Sequence, residues 1–154
     1  MDDVNIDGSN LDTVSIFLLR AYHRIYSIRR KELKKYGLSL EQVGVLDVVK
    51  VCNNYAKPAD IARIMFREPQ CIFPILEKLK DCGIINITTD EQKKNIRRVS
   101  LTPKGEVIYK KTTSTNCTRK IISTLSYEKR QNLQLYLKEL ITSAAKYAKS
   151  KQLS

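Results

Sequence analysis

The side chains best suited to binding chemistry are cations grouped around one short apolar helix pattern. Arg63 and Arg67 precede this pattern, and Lys78 lies within it. A polar loop between two strand-like runs carries a second group of cations: Lys93, Lys94, Arg97 and Arg98. Cations on both sides of one exposed helix are typical of proteins that neutralise nucleic-acid phosphates. A single basic loop would be weaker support for this interpretation.

The helix pattern between the two groups has an outward face that could recognise bases. Gln70 could form two hydrogen bonds with an adenine edge, and Phe73 could pack on a thymine methyl group. Pro74 lies beside them, while Glu77 either accepts from cytosine N4 or points away from the phosphates. The alternative is an ordinary solvated helix face. We predict a DNA-binding helix with Gln70, Phe73 and Pro74 at its contact surface.

The composition indicates which kinds of molecule this protein could bind. The 154 residues contain 28 Lys and Arg against 16 Asp and Glu, a formal charge of +12, and 42% of them are hydrophobic. A globular basic chain of this kind suits a polyanionic partner, and DNA, RNA and an anionic membrane surface are all candidates. The alternative is a basic protein without such a partner.

Catalysis and membrane-spanning segments are not expected. The sequence has no nucleophile elbow, phosphate-binding loop or metal-ligand cluster, and His23 is its one histidine. We therefore expect no enzyme, no cofactor and no metal. No apolar run approaches the roughly 20 residues of a membrane span. The acidic N-terminus lacks a signal peptide's apolar stretch, so we expect a cytoplasmic protein.

Cys71 is the cysteine whose position could matter for chemistry. It lies near a predicted helix N-terminus, where partial positive charge favours a thiolate. The sequence shows no resolving cysteine for it. In a reducing cytoplasm, the simpler interpretation is that all four cysteines are free thiols that fill apolar space.

Start and stop residues predict two helices before the basic region. Asn10 is suited to cap a helix over residues 11–36, and Gly37 to end it. Ser39 and Gln42 have the spacing of a capping box for the next helix. Residues 1–9 are expected to form a loose lead-in.

The central region predicts a helix, a turn, a second helix and a hairpin. Pro58 suits the first position of the short helix, and the next helix should begin near Glu68 and end at Gly83. Pro74 should bend or shorten the first turn of that second helix, because an interior proline removes a hydrogen bond. Its inward stripe has the i, i+3, i+4, i+7 spacing and contains Ile72, Ile75, Leu76 and Leu79. The strand-like runs contain Ile84, Ile85 and Ile87, then Ile96, Val99 and Leu101.

The terminal helices carry more apolar surface than a small winged domain needs. Thr102 and Pro103 open a helix that we expect to continue to about Leu125, and Ser126 is suited to cap the last helix. Pairing two chains through these helices would bury the surplus surface. We predict a homodimer, with an intramolecular bundle as the alternative. The predicted segments are 1–36 (tail and dimerisation helix), 37–102 (DNA-binding domain) and 103–154 (C-terminal dimerisation helices).

Four stretches resemble the MarR (multiple antibiotic resistance regulator) family of dimeric transcription regulators. They are LSLEQVGVL, PADIARIM, LEKLKDCGII and VSLTPKG, which together lie between residues 38 and 105. The last is the most specific, because a Leu-Thr-x-x-Gly run follows the wing in this family. The resemblance implies a mainly α winged helix-turn-helix fold with a small two- or three-stranded β wing. It also implies a regulator, most often a repressor, that binds double-stranded DNA as a homodimer on a short inverted repeat.

The wing departs from the family pattern. The family usually carries Asp-x-Arg there, with the Asp bracing an Arg that enters the minor groove. Counting back from Leu101 and Thr102 places Lys93 and Asn95 at those positions. A lysine cannot brace a neighbouring cation, so Lys94 or Arg97 is expected to replace the usual contact.

Many members of the family release DNA when a small, often phenolic, anion binds near the dimer helices. Tyr22, His23, Tyr26 and Tyr36 could line such a site here. The alternative, which we prefer, is that they are ordinary packing aromatics. Two other functions stay open: a winged-helix module that binds proteins, and non-specific nucleic-acid binding.

Overall fold

A computed structural model describes residues 11–152 of the chain. The predicted cap Asn10 and the predicted lead-in at residues 1–9 lie outside the described residues. The elements, in chain order, are α1 (Leu11–Lys34), α2 (Leu40–Val51), α3 (Pro58–Ile64), α4 (Pro69–Asp81), β1 (Ile85–Thr89), β2 (Arg97–Leu101), α5 (Pro103–Ser114), α6 (Cys117–Ser123) and α7 (Tyr127–Gln152). The predicted class, mainly α with a small β wing, is confirmed.

The connection between α1 and α2 follows from two local signals. Gly37 has a φ of +68°, and its N–H donates to the Lys34 carbonyl while the Leu38 N–H donates to that of Leu33. This is a Schellman motif, which favours glycine because other residues are strained at positive φ. The predicted capping box then opens α2: the Ser39 hydroxyl accepts the Gln42 N–H, and the Gln42 side chain accepts the Ser39 N–H.

Helices α2, α3 and α4 and the hairpin enclose the core. The buried apolar face of α2 contains Val43, Val45, Leu46, Val48 and Val49. Pro58 occupies the first turn of α3, where its missing N–H costs no helical hydrogen bond. Helix α4 runs without interruption from Pro69 to Asp81, so its first turn is not shortened by Pro74.

The two strands form one antiparallel hairpin, which we call the wing together with its loop (residues 85–101). Ile85 pairs with Leu101 at the base, and Thr89 pairs with Arg97 at the loop end. A third segment joins only at Ala56, which exchanges backbone hydrogen bonds with Val99. The wing is therefore two-stranded, with a single bridge to the segment between α2 and α3.

The Leu-Thr-x-x-Gly run connects the end of the wing to the end of α4 by hydrogen bonds. The Thr102 hydroxyl donates to the Gly83 carbonyl at 2.7 Å and accepts the Gly105 N–H at 3.0 Å. The Thr102 N–H donates to the Ile84 carbonyl at 3.0 Å. A Cβ at Gly105 would lie 2.0 Å from that carbonyl oxygen. Only glycine leaves room for this hydrogen bond.

The helix predicted from Pro103 to about Leu125 is wrong as one element, because it breaks at Thr115 and Asn116. Two causes are visible. Serine and threonine hydroxyls compete for helical carbonyls, as Thr113 does at the Tyr109 carbonyl. An ion pair on α1, in which Arg29 is buried and Glu32 is half-buried, also binds backbone groups there: Arg29 donates to the Thr112 carbonyl at 2.9 Å, and Glu32 accepts the Cys117 N–H at 3.2 Å.

The chain divides into two compact units, one ending at Cys117 and one beginning at Thr118. The second unit consists of most of α6 and the 26-residue α7, whose first turn is capped by the predicted Ser126 hydroxyl, an acceptor of the Lys129 N–H. The three predicted segments stay a prediction. None of the helices between residues 11 and 152 is both long and apolar enough to cross a membrane.

Candidate nucleic-acid interface

The buried stripe of α4 determines which face of the helix points to the core. Ile72, Leu76 and Leu79 are at most 1% exposed, and Ile75 is half-buried. Since these positions hold one face of the helix against the core, the opposite face must point to solvent. The predicted outward residues are all exposed: Gln70, Phe73, Pro74, Glu77 and Lys78. Their outward placement agrees with the sequence prediction.

The two predicted arginines flank the junction of α3 and α4: Arg63 lies in the last turn of α3, and Arg67 lies in the connection to α4. Arg63 pairs with Asp60 at 3.2 Å but remains largely exposed, as does Arg67. Phe66, between them, has a φ of +51° and is 73% exposed. Its N–H donates to the Arg63 carbonyl, and the Arg67 N–H donates to that of Ala62. Phe66 therefore occupies a helix-ending position that normally favours glycine.

A groove of about 490 Å³ separates the start of α4 from the wing. Phe73 contributes its apolar wall on α4, and Arg97 contributes a cation from the wing. Lys57, immediately before α3, adds a second cation that sequence reasoning did not select. Its remaining lining residues are Pro58, Ala59, Pro69, Asn95 and Ile96. Residues of α4 and residues of the wing therefore line one concave surface.

The wing presents three of its four predicted cations to solvent. Lys93 and Lys94 lie in the exposed loop, and Arg97 is exposed at the start of β2. Arg98 is placed differently, since its side chain is only 16% exposed and pairs with Asp90. The four residues were predicted as one group, but the fold separates Arg98 from the other three.

A polar cluster behind the loop accounts for the position of Arg98. The Arg98 Nε and the Tyr55 hydroxyl both donate to Asp90 Oδ2, at 2.6 Å and 2.9 Å. The guanidinium carbon of Arg98 lies 4.0 Å from the centre of the Tyr55 ring, a cation–π contact. We call Tyr55, Asp90 and Arg98 the Asp90 cluster.

The second oxygen of Asp90 organises the loop itself. Asp90 Oδ1 accepts the backbone N–H groups of Gln92 and Lys93, both at 3.0 Å. The Asp90 N–H donates to the Ile96 carbonyl at 2.7 Å, which closes the loop across its base. Asp90 therefore supplies a brace for this wing, although Lys93 and Asn95 stand where the family pattern places Asp and Arg.

The protonation equilibria of the cluster reflect these contacts. The hydrogen bond from Arg98, helped by those from Lys93, Tyr55 and Gln92, holds the pKa of Asp90 well below its ordinary range. The carboxylate in turn raises the pKa of Tyr55, because the phenol donates to it. At neutral pH the cluster is an ionised carboxylate with three kinds of donor around it.

The sequence prediction did not include Asp90. Its role in the turn of the loop could have been predicted, because that signal is local. An Asp two residues before Gln92 fits an Asx turn, in which the carboxylate accepts the backbone N–H two positions later. The pairing of Asp90 with Tyr55 could not have been found this way, since 35 positions separate the two residues.

The predicted effector residues fall into two places. Tyr22 lies on α1 with its ring centre 5.4 Å from His23 and 5.5 Å from Tyr26. Tyr36 packs against the core and shares a 3.3 Å hydrogen bond with Thr115. Tyr26 also lines a cavity of about 860 Å³ whose charged lining residues are the carboxylate Glu41 and the cations Arg30, Lys31, Lys34 and Lys78. Tyr36 does not line that cavity.

The cysteines form no disulfide among themselves, and all four lie within the described part of the chain. Cys71 is exposed in the first turn of α4, and Cys82 is exposed at its end. Cys52 and Cys117 are half-buried.

Comparisons with known proteins place this fold. No protein-family model matches the chain, and no curated protein matches its sequence. Solved structures do match. MepR from S. aureus in complex with DNA has a TM-score of 0.77 and 21% identity, covering 88% of this chain and 99% of that chain. The organohalide-sensing transcriptional regulator RdhR, bound to 2,4-dichlorophenol, has a TM-score of 0.72 and 21% identity, covering 92% and 89%.

A third match is YusO from Bacillus subtilis, with a TM-score of 0.59 and 18% identity, covering 86% of this chain and 94% of that chain. At these identities the matches establish the fold. The chain has the winged helix-turn-helix fold of MarR-type transcription regulators, and the resemblance seen in its sequence is confirmed at that level.

Proposed function

We propose that this protein is a sequence-specific transcriptional regulator that binds double-stranded DNA as a homodimer. The observation that carries the proposal is the exposed face of α4 beside a wing with exposed cations, joined by one groove. The S. aureus MepR–DNA complex supports it, because a protein of the same fold was solved on DNA.

The two elements suit the two grooves of DNA. An α-helix fits the major groove, where base edges can be told apart, and Gln70 and Phe73 lie on the face that would meet them. A narrow basic hairpin fits the minor groove, where Lys93 and Lys94 would add attraction. Arg63, Arg67, Lys78 and Arg97 are the proposed phosphate contacts.

The homodimer is proposed from the apolar surface of the two long helices. On α1, Leu11 is 87% exposed and Val14 is 58% exposed. On α7, Tyr136 is 57% exposed and Leu140 is 50% exposed. Exposed apolar patches of this kind mark interaction sites. A two-fold dimer with recognition helices about 34–36 Å apart would require an inverted repeat, and a dimer bound across a promoter would act as a repressor.

Sedimentation equilibrium tests the dimer. Leu140→Glu places a charge on the apolar face of α7 and should give monomers, because a buried carboxylate without a partner is costly. Gln134→Glu adds the same charge at another exposed position of α7 and should leave dimers. A wild-type monomer at micromolar concentration would refute this part of the proposal.

Selection from random duplex DNA, followed by titration at several salt concentrations, tests DNA recognition. We expect an enriched inverted repeat and binding that weakens steeply with salt. Weak binding to every duplex, with no enriched sequence, would favour the non-specific alternative. Absence of binding to any duplex would favour a winged-helix module whose partner is a protein.

Two substitutions separate phosphate contacts from base contacts. Arg67→Ala should weaken binding to all sequences and reduce the salt slope by about 1. Gln70→Ala should instead relax the preference at one position of the site. Lys110→Ala is the matched control, since it removes an exposed cation on α5. If Arg67→Ala behaves like Lys110→Ala, Arg67 does not contact DNA.

We also propose that a small aromatic anion acts as an effector. The support is the cavity of about 860 Å³ that Tyr26, Arg30 and Lys34 help to line, together with the structure of RdhR in its 2,4-dichlorophenol-bound form. With 2,4-dichlorophenol as the probe, DNA release should occur and should be weaker in Arg30→Ala. Binding of DNA that is unchanged by millimolar phenol would reject this effector class.

A further inference from the structure

The loop of the wing is organised around one buried carboxylate, that of Asp90. Asp90 is 4% exposed at its side chain, yet its carboxylate accepts four hydrogen bonds. Two of the donors are backbone N–H groups of the loop that carries Lys93 and Lys94. The other two come from Arg98 on β2 and from Tyr55 outside the wing.

Tyr55 connects the wing to the helical part of the DNA-binding region. It follows Asn53 and Asn54, whose φ values of +54° and +59° turn the chain sharply after α2. The next residue, Ala56, is bridged to Val99 of β2. The hydroxyl of Tyr55 therefore reaches Asp90 from a segment that is itself tied to the wing by backbone hydrogen bonds.

We propose that Asp90, Tyr55 and Arg98 are positioning residues for DNA binding, and that they hold the wing loop so that Lys93 and Lys94 meet the DNA. The inference rests on the proposed function. Arg98 acts through Asp90 and does not contact DNA itself. The cluster orders the loop before binding, so less conformational entropy is lost when the complex forms.

The direction in which one substitution changes the affinity for DNA distinguishes this role from simple electrostatic repulsion. A carboxylate near DNA repels phosphates, so removal of a carboxylate that does nothing else should tighten binding. Removal of a carboxylate that holds the loop should weaken it. Asp90 and its neighbour Glu91 allow a matched comparison, because Glu91 is exposed in the same loop.

The experiment compares Asp90→Asn with Glu91→Gln on the selected duplex at one salt concentration. Each substitution removes one negative charge and keeps the side-chain shape. We expect equal or tighter binding for Glu91→Gln. For Asp90→Asn we expect about tenfold weaker binding, the size of one lost charge-assisted hydrogen bond. Tighter binding by both variants would overturn the proposal.

Tyr55→Phe provides a second variant that keeps the net charge and the aromatic ring. It removes only the hydroxyl that donates to Asp90. We expect binding to weaken by a smaller factor, roughly threefold, as for one ordinary hydrogen bond. Affinity equal to that of the wild type would remove Tyr55 from the cluster's role. Equilibrium unfolding of each variant shows whether the whole domain, rather than the wing, has been affected.

Amide hydrogen exchange of the free protein tests the brace without DNA. The Gln92 and Lys93 N–H groups should exchange faster in Asp90→Asn than in the wild type, while the α4 amides stay unchanged. Unchanged exchange at Gln92 and Lys93 would overturn the bracing step. If exchange is faster but no duplex binds the wild type, the proposed function fails and the brace of the wing stands.

A double-mutant cycle tests whether Arg98 acts through Asp90. Arg98→Gln alone should weaken binding, and the combination with Asp90→Asn should be little weaker than either single variant, because both break the same contact. Additive losses would mean that Arg98 contacts DNA on its own account, and would overturn its positioning role.

Discussion

Helix α4 and the wing form the two halves of one proposed DNA-binding surface, but they are held by different forces. The inner face of α4 is aliphatic, with Leu76 and Leu79 at most 1% exposed. The wing has an apolar base, where Val99 is fully buried. Its loop depends on one carboxylate and the donors around it.

Because the forces differ, we expect α4 and the wing loop to respond differently to substitutions and to pH. Apolar packing is spread over many contacts and does not depend on pH or on one charge. A buried carboxylate with a partner is strongly sensitive to loss of a single donor or of its own charge. Changes in the apolar face of α4 should therefore act on the stability of the whole domain, and changes in the Asp90 cluster should act mainly on the position of the loop.

The largest expected effect is that of Leu76→Ala. The substitution leaves a cavity in the core, so the free energy of unfolding should fall by about 2–5 kcal/mol. Urea denaturation measures it. Glu77→Ala, at the exposed neighbouring position, should change stability by no more than about 0.5 kcal/mol. A small loss for Leu76→Ala would contradict the idea that α4 is held by its apolar face.

The second-largest loss of stability is expected from a substitution where α4, the wing and α5 meet. Gly105→Ala forces a Cβ against the Ile84 carbonyl, so backbone must move and the free energy of unfolding should fall by about 1–3 kcal/mol. Val107→Ala, on the exposed side of α5, serves as the control in the same thermal or urea experiment. Equal stability of the two variants would mean that the junction adjusts without cost.

A smaller, stabilising effect is expected in the turn before α4. Phe66→Gly relieves a left-handed backbone at an exposed residue, so stability should rise by about 0.5–1 kcal/mol. Phe66→Ala removes the ring but retains the strain and should not stabilise the protein. Stabilisation by both variants would show that the ring, and not the backbone, is unfavourable.

The smallest effect on global stability is expected from acid, and it should appear first in the wing. Because the folded pKa of Asp90 is lowered, its contribution is present above the ordinary Asp pKa of about 3.9 and is lost as pH falls below that value. Exchange protection of the Lys93 amide should hold from pH 7 to about 5, with loss only under more acidic conditions. Asp90→Asn should remove this dependence, and loosening already near pH 6 would contradict the assignment.

Much of α2, α3 and α4 could be predicted because their signals are local. The Ser39 capping box, Pro58 at a first turn and the stripe from Ile72 to Leu79 depend on spacings of three and four residues. Hydrophobic periodicity also decides which face is inward, so it correctly placed Gln70 and Phe73 outside.

The prediction was wrong where a distant partner decides the outcome. The helix after Pro103 breaks because Arg29 and Glu32, on α1, bind its backbone groups, and 83 positions separate Arg29 from Thr112. Arg98 was grouped with the free cations of the wing because nothing in its neighbours along the chain distinguishes it from Arg97.

The sequence by itself determined the order of elements from α2 to the wing, the inward face of α4 and the basic character of the proposed interface. Those properties come from periodicity, capping residues and composition, which are written in neighbouring positions. Only the tertiary structure decided which cations are available to a partner and which are used inside the protein. An arginine has the same charge in both cases, and its role is settled by the carboxylate, carbonyl or ring that the fold brings beside it.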